Sequence, residues 1–174
     1  MKYNALVGEV MRKDVKTVDI NDPVEKAARI MKDKKIGSVV AIGEKNIKGI
    51  VTATDIVHKY VLDKKGDLVK DVMSTDLVKI SPNRSIEEAS RLMVAKGVEK
   101  LLVFDKERLV GIITATDILR IEPALLEILL ERMKVGGRRS REFELGFAEC
   151  ENCGNYSDDI QEINGVYMCS ECSE

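Results

Sequence analysis

The chain has 174 residues, of which 44% are hydrophobic, 33% charged and only 4% aromatic, and its formal net charge is −2. This balance predicts a soluble globular protein with an aliphatic core, and the weak negative charge argues against a nucleic-acid surface covering the whole protein. No apolar run approaches the roughly 20 residues that span a bilayer, and the first residues lack the apolar block of a secretory signal, so we expect a cytoplasmic protein without a membrane segment.

An internal repeat organises most of the chain. The sequence Gly-Ile-Val-Thr-Ala-Thr-Asp at residues 49–55 returns as Gly-Ile-Ile-Thr-Ala-Thr-Asp at residues 111–117, an offset of 62 positions (111 − 49). The offset holds without a gap from about positions 7/69 to positions 57/119. A repeat of this kind predicts two copies of one supersecondary unit, and therefore two related half-sites.

Both copies have the pattern of a β-α-β-β-α unit. A short β segment ends in turn residues, and a helix with apolar residues at helical spacing begins near Pro23 in the first copy and near Ser85 in the second. Two apolar strands joined by a polar turn then form an antiparallel hairpin, and a last helix begins at Asp55 or Asp117. The predicted strands are Val15–Ile20, Ile36–Ile42 and Ile47–Thr52 in the first copy and Leu77–Ile80, Val98–Phe104 and Leu109–Thr114 in the second.

One such unit is too small to bury much surface alone, so we expect an α+β fold in which the two repeats pack through their sheets with pseudo-twofold symmetry. An apolar-rich helix is predicted from Ile118 to Val135, with a kink or restart near Pro123, and a short basic linker follows at residues 138–141. The predicted domains are residues 7–62 and 69–122 for the two repeats, 123–142 for the helix and linker, and 143–174 for a small C-terminal domain.

The repeated Thr-Ala-Thr-Asp lies where a strand ends and a helix begins. Backbone N–H groups at a helix start favour negative charge. Thr hydroxyls there can bind a phosphate, and a carboxylate can accept both hydroxyls of a ribose, so the chemistry suits a nucleoside phosphate that is bound and not transformed. Plain helix capping is the alternative, because Thr and Asp are good N-caps on their own. Retention of Gly, Thr and Asp in both copies favours the ligand.

Residues 7–119 resemble a tandem pair of CBS domains, the Bateman module, through the Gly-hydrophobic-x-Ser/Thr-x-x-Asp stretch in both copies and through Val-Met at residues 10–11 and 72–73. The resemblance implies a regulatory protein that binds adenosine nucleotides (AMP, ADP or ATP) or related adenosyl compounds in two clefts between the repeats, with Asp on the ribose and Thr on the phosphate side. In one cleft it implies Lys16, Ile36, Gly37 and Ser38 with Thr114, Thr116 and Asp117; in the mirror cleft it implies Val78, Lys79, Val98 and Glu99 with Thr52, Thr54 and Asp55.

The copies differ just before the hairpin strand, where many nucleotide-binding members of that family carry a basic residue. The second repeat has Lys100 at this position, and the first has Ser38. We therefore predict asymmetric occupancy, with the cleft that contains Asp117 filled more tightly, although adjacent Glu99 partly cancels the field of Lys100. The same resemblance implies a homodimer formed through the CBS helices.

All four cysteines lie in the last 25 residues, in two Cys-x-x-Cys pairs separated by 15 residues. Two thiolates at this spacing hold one side of a tetrahedral metal, and two such pairs close a site with four cysteine ligands. Asn164-Gly165 between the pairs predicts a hairpin turn. Disulfides are disfavoured without a secretion signal, and a segment this short and polar does not fold without a metal. The predicted ligands are Cys150, Cys153, Cys169 and Cys172.

This segment resembles a zinc ribbon and also the rubredoxin knuckles that hold iron, and the ligands alone do not separate the two metals. The leading hypothesis is a regulatory binding protein with a structural zinc or iron site, whose ribbon presents a surface to a protein partner. An iron-binding redox protein and a nucleic-acid-binding regulator that uses the ribbon are the alternatives. We expect no enzyme activity, because the single histidine, His58, has no partner for acid–base or nucleophilic chemistry.

Overall fold

The computed structural model describes residues 5–121 and 147–173. The predicted helix beyond Ile121 and the basic linker at residues 138–141 lie outside the described residues. Contacts divide the chain into two compact units. One unit runs from Asp14 to Leu77, and the other combines the N-terminal segment up to Lys13 with the chain from Val78 onward.

Both repeats show the predicted β-α-β-β-α order, and each is preceded by a one-turn helix. In the first repeat the elements are α1 (Val7–Val10), β1 (Thr17–Asp19), α2 (Val24–Lys34), β2 (Ser38–Gly43), β3 (Asn46–Thr52) and α3 (Ala53–Asp55), which continues as a π-helical segment (Ile56–Leu62). In the second they are α4 (Val69–Val72), β4 (Lys79–Ile80), α5 (Ile86–Lys96), β5 (Lys100–Asp105), β6 (Arg108–Thr114) and α6 (Ala115–Ile121).

Each repeat has a three-stranded sheet. Its middle strand is parallel to one neighbour and antiparallel to the other. The strand order is β1-β2-β3 in the first repeat and β4-β5-β6 in the second. The fold is α+β, as the sequence predicted. The register places Ser38 opposite Thr52 and Lys100 opposite Thr114, so the position that distinguishes the two copies lies directly across from the Thr of the motif.

The helix boundaries follow local sequence signals. The hydroxyl of Ser85 accepts a hydrogen bond from the N–H of Glu88 (3.1 Å), and the Glu88 carboxylate accepts one from the N–H of Ser85 (2.9 Å), which caps the start of α5. Gly97 ends α5 in the left-handed region with φ 63°. The sequence predicted that the last helices begin at Asp55 and Asp117. Helices α3 and α6 begin two residues earlier, at Ala53 and Ala115.

The one-turn helices are exchanged between the units. Helix α1 precedes the first repeat, yet Val7 is buried in the core of the unit that contains the second repeat, and its N–H donates to the carbonyl of Arg84 (2.8 Å). Helix α4 precedes the second repeat, yet Val69 and Val72 are buried in the core of the first. The compact units therefore do not coincide with the sequence repeats.

This exchange explains the glycine that opens each motif. The segment after α1 or α4 pairs with the hairpin strand beside that glycine. A Cβ on Gly111 would lie 2.5 Å from the sulfur of Met11, and a Cβ on Gly49 would lie 2.8 Å from the carbonyl oxygen of Ser74. Glycine thus leaves room for the Met11 side chain in one unit and for the backbone at Ser74 in the other.

The C-terminal segment, residues 147–173, is called the ribbon below. Asn164 and Gly165 form its predicted hairpin turn, with φ of 53° and 82°. The ribbon belongs to the same compact unit as the second repeat. Among residues 5–121 and 147–173, no helix combines the length and apolar character that a bilayer crossing requires. The ribbon consists of two antiparallel pairs and a final turn of helix: β7 (Ala148–Glu149) with β8 (Tyr156–Ser157), β9 (Gln161–Ile163) with β10 (Val166–Met168), and α7 (Ser170–Ser173).

Candidate functional site

The Thr–Asp turns form helix caps in both repeats. The hydroxyl of Thr114 accepts a hydrogen bond from the N–H of Asp117 (3.2 Å), and one carboxylate oxygen of Asp117 accepts from the N–H and the hydroxyl of Thr114 (3.1 and 2.6 Å). Thr52 and Asp55 repeat this arrangement at 3.1, 2.9 and 2.6 Å. The capping interpretation therefore accounts for one oxygen of each carboxylate, and the second oxygen binds a cation in each case.

In the second repeat that cation is Arg12. Its Nε and Nη2 lie 2.9 and 2.7 Å from the second oxygen of Asp117. The Asp117 side chain is only 6% exposed, whereas that of Arg12 is 44% exposed. Burial alone would raise the pKa of Asp117, but the hydrogen bond from Thr114 and the Arg12 guanidinium outweigh it and hold the pKa below its usual value. The carboxylate is therefore ionised at neutral pH.

In the first repeat the cation is Lys59. Its Nζ lies 2.7 Å from the second oxygen of Asp55, and the Ser74 hydroxyl donates to the same oxygen (3.0 Å). The Lys59 ammonium also donates to the carbonyl of Val72 (3.0 Å). Burial would raise the pKa of Asp55, but the hydrogen bonds from Lys59 and Thr52 lower it below its usual value. Both turns thus hold a carboxylate that is ionised and paired.

The two cations come from positions that are not equivalent in the repeat. Arg12 corresponds to Ser74 (12 + 62), and Lys59 corresponds to Ile121 (59 + 62). Sequence reasoning missed both partners. Comparing the copies position by position shows that Arg12 has no basic counterpart. The contact with Asp117 also requires α1 to lie against the second repeat, which the pattern does not reveal.

The four cysteines converge in the ribbon. Their sulfur atoms all lie within 4.8 Å of one another, and no disulfide joins them. The Cys153 and Cys169 sulfurs are 3.9 Å apart, close to the ~3.8 Å between neighbouring sulfurs of a tetrahedron with ~2.3 Å metal–sulfur bonds. The donor set and its spacing therefore fit a tetrahedral thiophilic metal.

Backbone amides favour a thiolate at one of these sulfurs. Burial would raise the pKa of Cys150, but the N–H groups of Cys169, Cys153 and Asn152 point towards its sulfur and lower the pKa to about 7. The N–H of Cys169 lies 3.4 Å from that sulfur. Burial raises the pKa of Cys153 and Cys169, because removal from water disfavours the thiolate.

The family of the chain follows from its two repeats. Residues 7–62 and 69–123, more than half of the sequence, match the CBS domain family. The chain belongs to the CBS-domain family. An uncharacterized protein from Methanopyrus kandleri is 36% identical over 177 residues, covering 97% of this chain and 90% of that protein. An inosine-5′-monophosphate dehydrogenase from Methanocaldococcus jannaschii is 41% identical over 114 residues, which are 64% of this chain but only 22% of that enzyme.

Solved CBS structures share the fold. A CBS domain protein of unknown function from Thermoplasma acidophilum has a TM-score of 0.67 at 22% identity, covering 95% of this chain and 94% of that one. The CBS domain pair of protein MJ0100, in complex with 5′-methylthioadenosine and S-adenosyl-L-methionine, has a TM-score of 0.64 at 23% identity, covering 69% and 97% of the two chains. The protein CBSX2 in complex with AMP has a TM-score of 0.58 at 22% identity, covering 70% and 98%.

Several predicted nucleotide-binding residues surround the Thr–Asp turn of their own CBS repeat. The carbonyl of Gly37 accepts from the N–H of Ala53 (3.1 Å), and the carbonyl of Glu99 accepts from the N–H of Ala115 (3.0 Å). The pairing of groups from different CBS repeats stays a prediction. The predicted residues in the unit of the first repeat are Lys16, Ile36, Gly37, Ser38, Thr52, Thr54 and Asp55, and those in the other unit are Val78, Lys79, Val98, Glu99, Lys100, Thr114, Thr116 and Asp117.

Two of the predicted lysines have other partners. The Lys16 ammonium pairs with Asp14 (2.6 Å). The Lys79 ammonium lies over the ring of Phe104, 5.1 Å from its centre, and a Cβ on Gly154 of the ribbon would lie 3.3 Å from it. Lys79 therefore lies beside the ribbon, and its role towards a nucleotide stays a prediction.

Proposed function

We propose that this CBS protein is a regulatory protein that binds an adenosine compound at its two Thr–Asp turns. One observation carries the proposal: both turns combine a helix start, an exposed Thr (Thr54 or Thr116) and an ionised carboxylate with a cation beside it. Helix starts and cations attract phosphate, and a carboxylate accepts ribose hydroxyls. The complexes of MJ0100 and CBSX2 make adenosine compounds the class to test first.

Arg12 has the chemistry to serve such a ligand. A guanidinium has five N–H donors in a planar fork, and Arg12 uses two of its nitrogens on a single oxygen of Asp117. When a nucleotide binds, its ribose would take that oxygen and the half-exposed Arg12 would turn to the phosphate. Arg12 would exchange one anionic partner for another, and the Asp117 carboxylate would keep its hydrogen bonds from Thr114 and gain those of the ribose hydroxyls in place of its cation.

The two turns should bind with different affinity. The turn at Asp117 has Arg12 in contact and Lys100 on the strand position opposite Thr114. The turn at Asp55 has Lys59, which is already bound to three oxygens, and Ser38 in place of Lys100. We therefore keep the prediction that the Asp117 turn binds a phosphate-bearing ligand more tightly.

Calorimetric titration of the full chain with AMP, ADP, ATP, a dinucleotide and S-adenosylmethionine tests the proposal. Asp117→Ala should weaken the tighter event roughly tenfold or more, the size expected for losing a charge-assisted hydrogen bond, and Asp55→Ala should affect the weaker one. The exposed Asp105→Ala is the control and should change neither. Absence of heat with all ligands would contradict the function, and equal losses in the two Asp variants would contradict only the asymmetry.

We further propose that Cys150, Cys153, Cys169 and Cys172 hold zinc or iron as a structural site. The convergence of the four sulfurs supports a metal but does not choose between these two. Elemental analysis of the purified protein decides: a colourless zinc protein fits the structural role. A reddish iron protein that reduces and oxidises reversibly would favour the redox alternative.

A second copy of the chain is the partner that we propose for the π-helical segment after α3. Val57, Val61 and Leu62 of this segment are 51, 56 and 69% exposed. Large aliphatic side chains grouped on one helical segment are typical of an interface, which supports the homodimer implied by the family.

A further inference from the structure

The second cysteine knuckle of the ribbon is in direct contact with the second CBS repeat. The knuckle is Cys169-Ser170-Glu171-Cys172, and both middle side chains point to the turn before α5. The hydroxyl of Ser81 donates to the Glu171 carboxylate (2.9 and 2.7 Å). The hydroxyl of Ser170 accepts from Nη2 of Arg84 (3.4 Å). Both residues that separate these two predicted metal ligands therefore contact the repeat.

Arg84 is the centre of this contact. Its Nη1 and Nη2 donate to the two oxygens of Asp159 in the ribbon (2.8 and 2.9 Å), and its Nε lies 3.5 Å from Glu171. The Arg84 side chain is only 12% exposed. The guanidinium holds the pKa of Asp159 well below its usual range. A two-pronged arginine–carboxylate pair of this kind fixes geometry as well as adding energy.

The contact is specific to the second repeat. With the 62-residue offset, Ser81 corresponds to Asp19 and Arg84 corresponds to Asp22. Two carboxylates at those positions would repel Asp159 and Glu171 of the ribbon. The second repeat thus differs from the first at the two positions that contact the acidic side chains of the ribbon.

The knuckle depends on the sulfur cluster for its shape. The buried residues of the ribbon are Cys150, Asn155, Ser157 and Cys169, which do not amount to an apolar core. Phe147 and Tyr156 pack against the core of the second repeat instead. A segment with so little core folds around its metal, and so the positions of Ser170 and Glu171 depend on whether the four sulfurs are held together.

We propose that the ribbon is a metal-dependent latch on the second CBS repeat. A thiophilic divalent metal at the four sulfurs sets the knuckle, the knuckle presents Ser170 and Glu171 to Arg84 and Ser81, and these contacts stabilise the turn that leads into α5. The protein thereby senses the supply of such a metal and conveys it to the repeat that carries Asp117. This inference rests on the metal site proposed above.

Cobalt(II) titration and amide hydrogen exchange of the full chain test the latch together. Cobalt(II) reports a tetrathiolate site by its visible absorption. On removal of the metal with a chelator, amides of residues 81–89 should exchange roughly tenfold faster or more, because the latch contacts are lost. Amides of the β2–β3 hairpin, which belongs to the other compact unit, should keep their protection and serve as the internal control.

Arg84→Gln provides the reciprocal measurement. If metal and latch are coupled, this variant must weaken cobalt(II) binding by the same factor by which metal stabilises the latch, roughly tenfold, in competition with a chelator. Arg91→Gln in α5 is the matched control, because in the described part of the chain the ion pair of Arg91 is with half-exposed Glu87. Glu171→Gln tests the ribbon side of the contact should Arg84→Gln fail to fold.

The outcomes separate the latch from the metal site. Equal cobalt(II) affinity in wild type and Arg84→Gln would overturn the latch and leave the metal site intact. Hydrogen-exchange rates at residues 81–89 that are the same with and without metal would do so as well. Absence of the tetrathiolate absorption in the wild type would overturn both.

Discussion

Arg12 and Lys59 show how one sequence motif acquires two electrostatic environments. Asp117 and Asp55 use one oxygen in the same way, to cap a helix, and differ in the cation that contacts the other oxygen. Arg12 comes from a segment more than a hundred residues before its partner, whereas Lys59 is one helical turn after Asp55. A motif alone therefore does not define the charge of its site.

We expect Arg12→Gln to lower the free energy of unfolding by about 1 kcal/mol, because Asp117 loses its cation while it stays nearly buried. The half-exposed position of Arg12 keeps the effect modest. Urea unfolding of the full chain measures it, with Arg91→Gln as a surface ion-pair control that should change by less than about 0.5 kcal/mol. Equal stability of wild type and Arg12→Gln would show that the pair contributes nothing.

The pH dependence of Asp117 has a definite sign. Its folded pKa lies below the usual value of 3.8, so the unfolded chain takes up the proton first as the pH falls. The stability that the carboxylate contributes is present above about pH 4 and is lost as the pH falls through the folded pKa. The difference in unfolding free energy between wild type and Asp117→Asn should be constant from about pH 7 to 5 and shrink below about pH 4. A difference that stays unchanged at about pH 3 would contradict this assignment.

At the scale of elements, the exchange of α1 and α4 is what makes the motif glycine necessary. We expect Gly111→Ala to destabilise the protein by about 1–3 kcal/mol, since a Cβ would overlap the Met11 side chain, which would have to repack. Gly37→Ala is the matched control, because a Cβ there meets nothing within 4 Å. Thermal unfolding of the two variants compares them directly, and similar melting temperatures would refute the packing argument.

The pattern of the sequence predicted the order of elements and not their partners. Periodicity and turn residues place α2, α5 and both hairpins within a few residues, because those signals are local. The contact of Val7 with the second repeat is between segments far apart in the sequence, and such contacts produce no periodic pattern of residues. For the same reason the sequence showed four metal-spaced cysteines but not that Glu171 between two of them would contact Ser81.

At the scale of the whole molecule, the π-helical segment after α3 is the test of assembly. We expect Val61→Glu to raise the dissociation constant of a homodimer at least roughly tenfold, because it places a charge among exposed aliphatic side chains. Sedimentation measures the mass of the full chain in solution. Val166→Glu, in the ribbon, is the control and should leave the mass unchanged. A monomeric wild type would contradict the proposed homodimer.

The exchanged helices determine how the chain connects its two compact units. It passes from one compact unit to the other twice, after Lys13 and after Leu77. A protease nick at exposed Lys64 would therefore release neither unit, since α4 would remain anchored by Val69 and Val72 in the first core. A single repeat with the same packing would place its opening helix on another molecule, as swapped dimers do. With two repeats in one chain, the exchanged helices instead connect the two compact units within a single molecule.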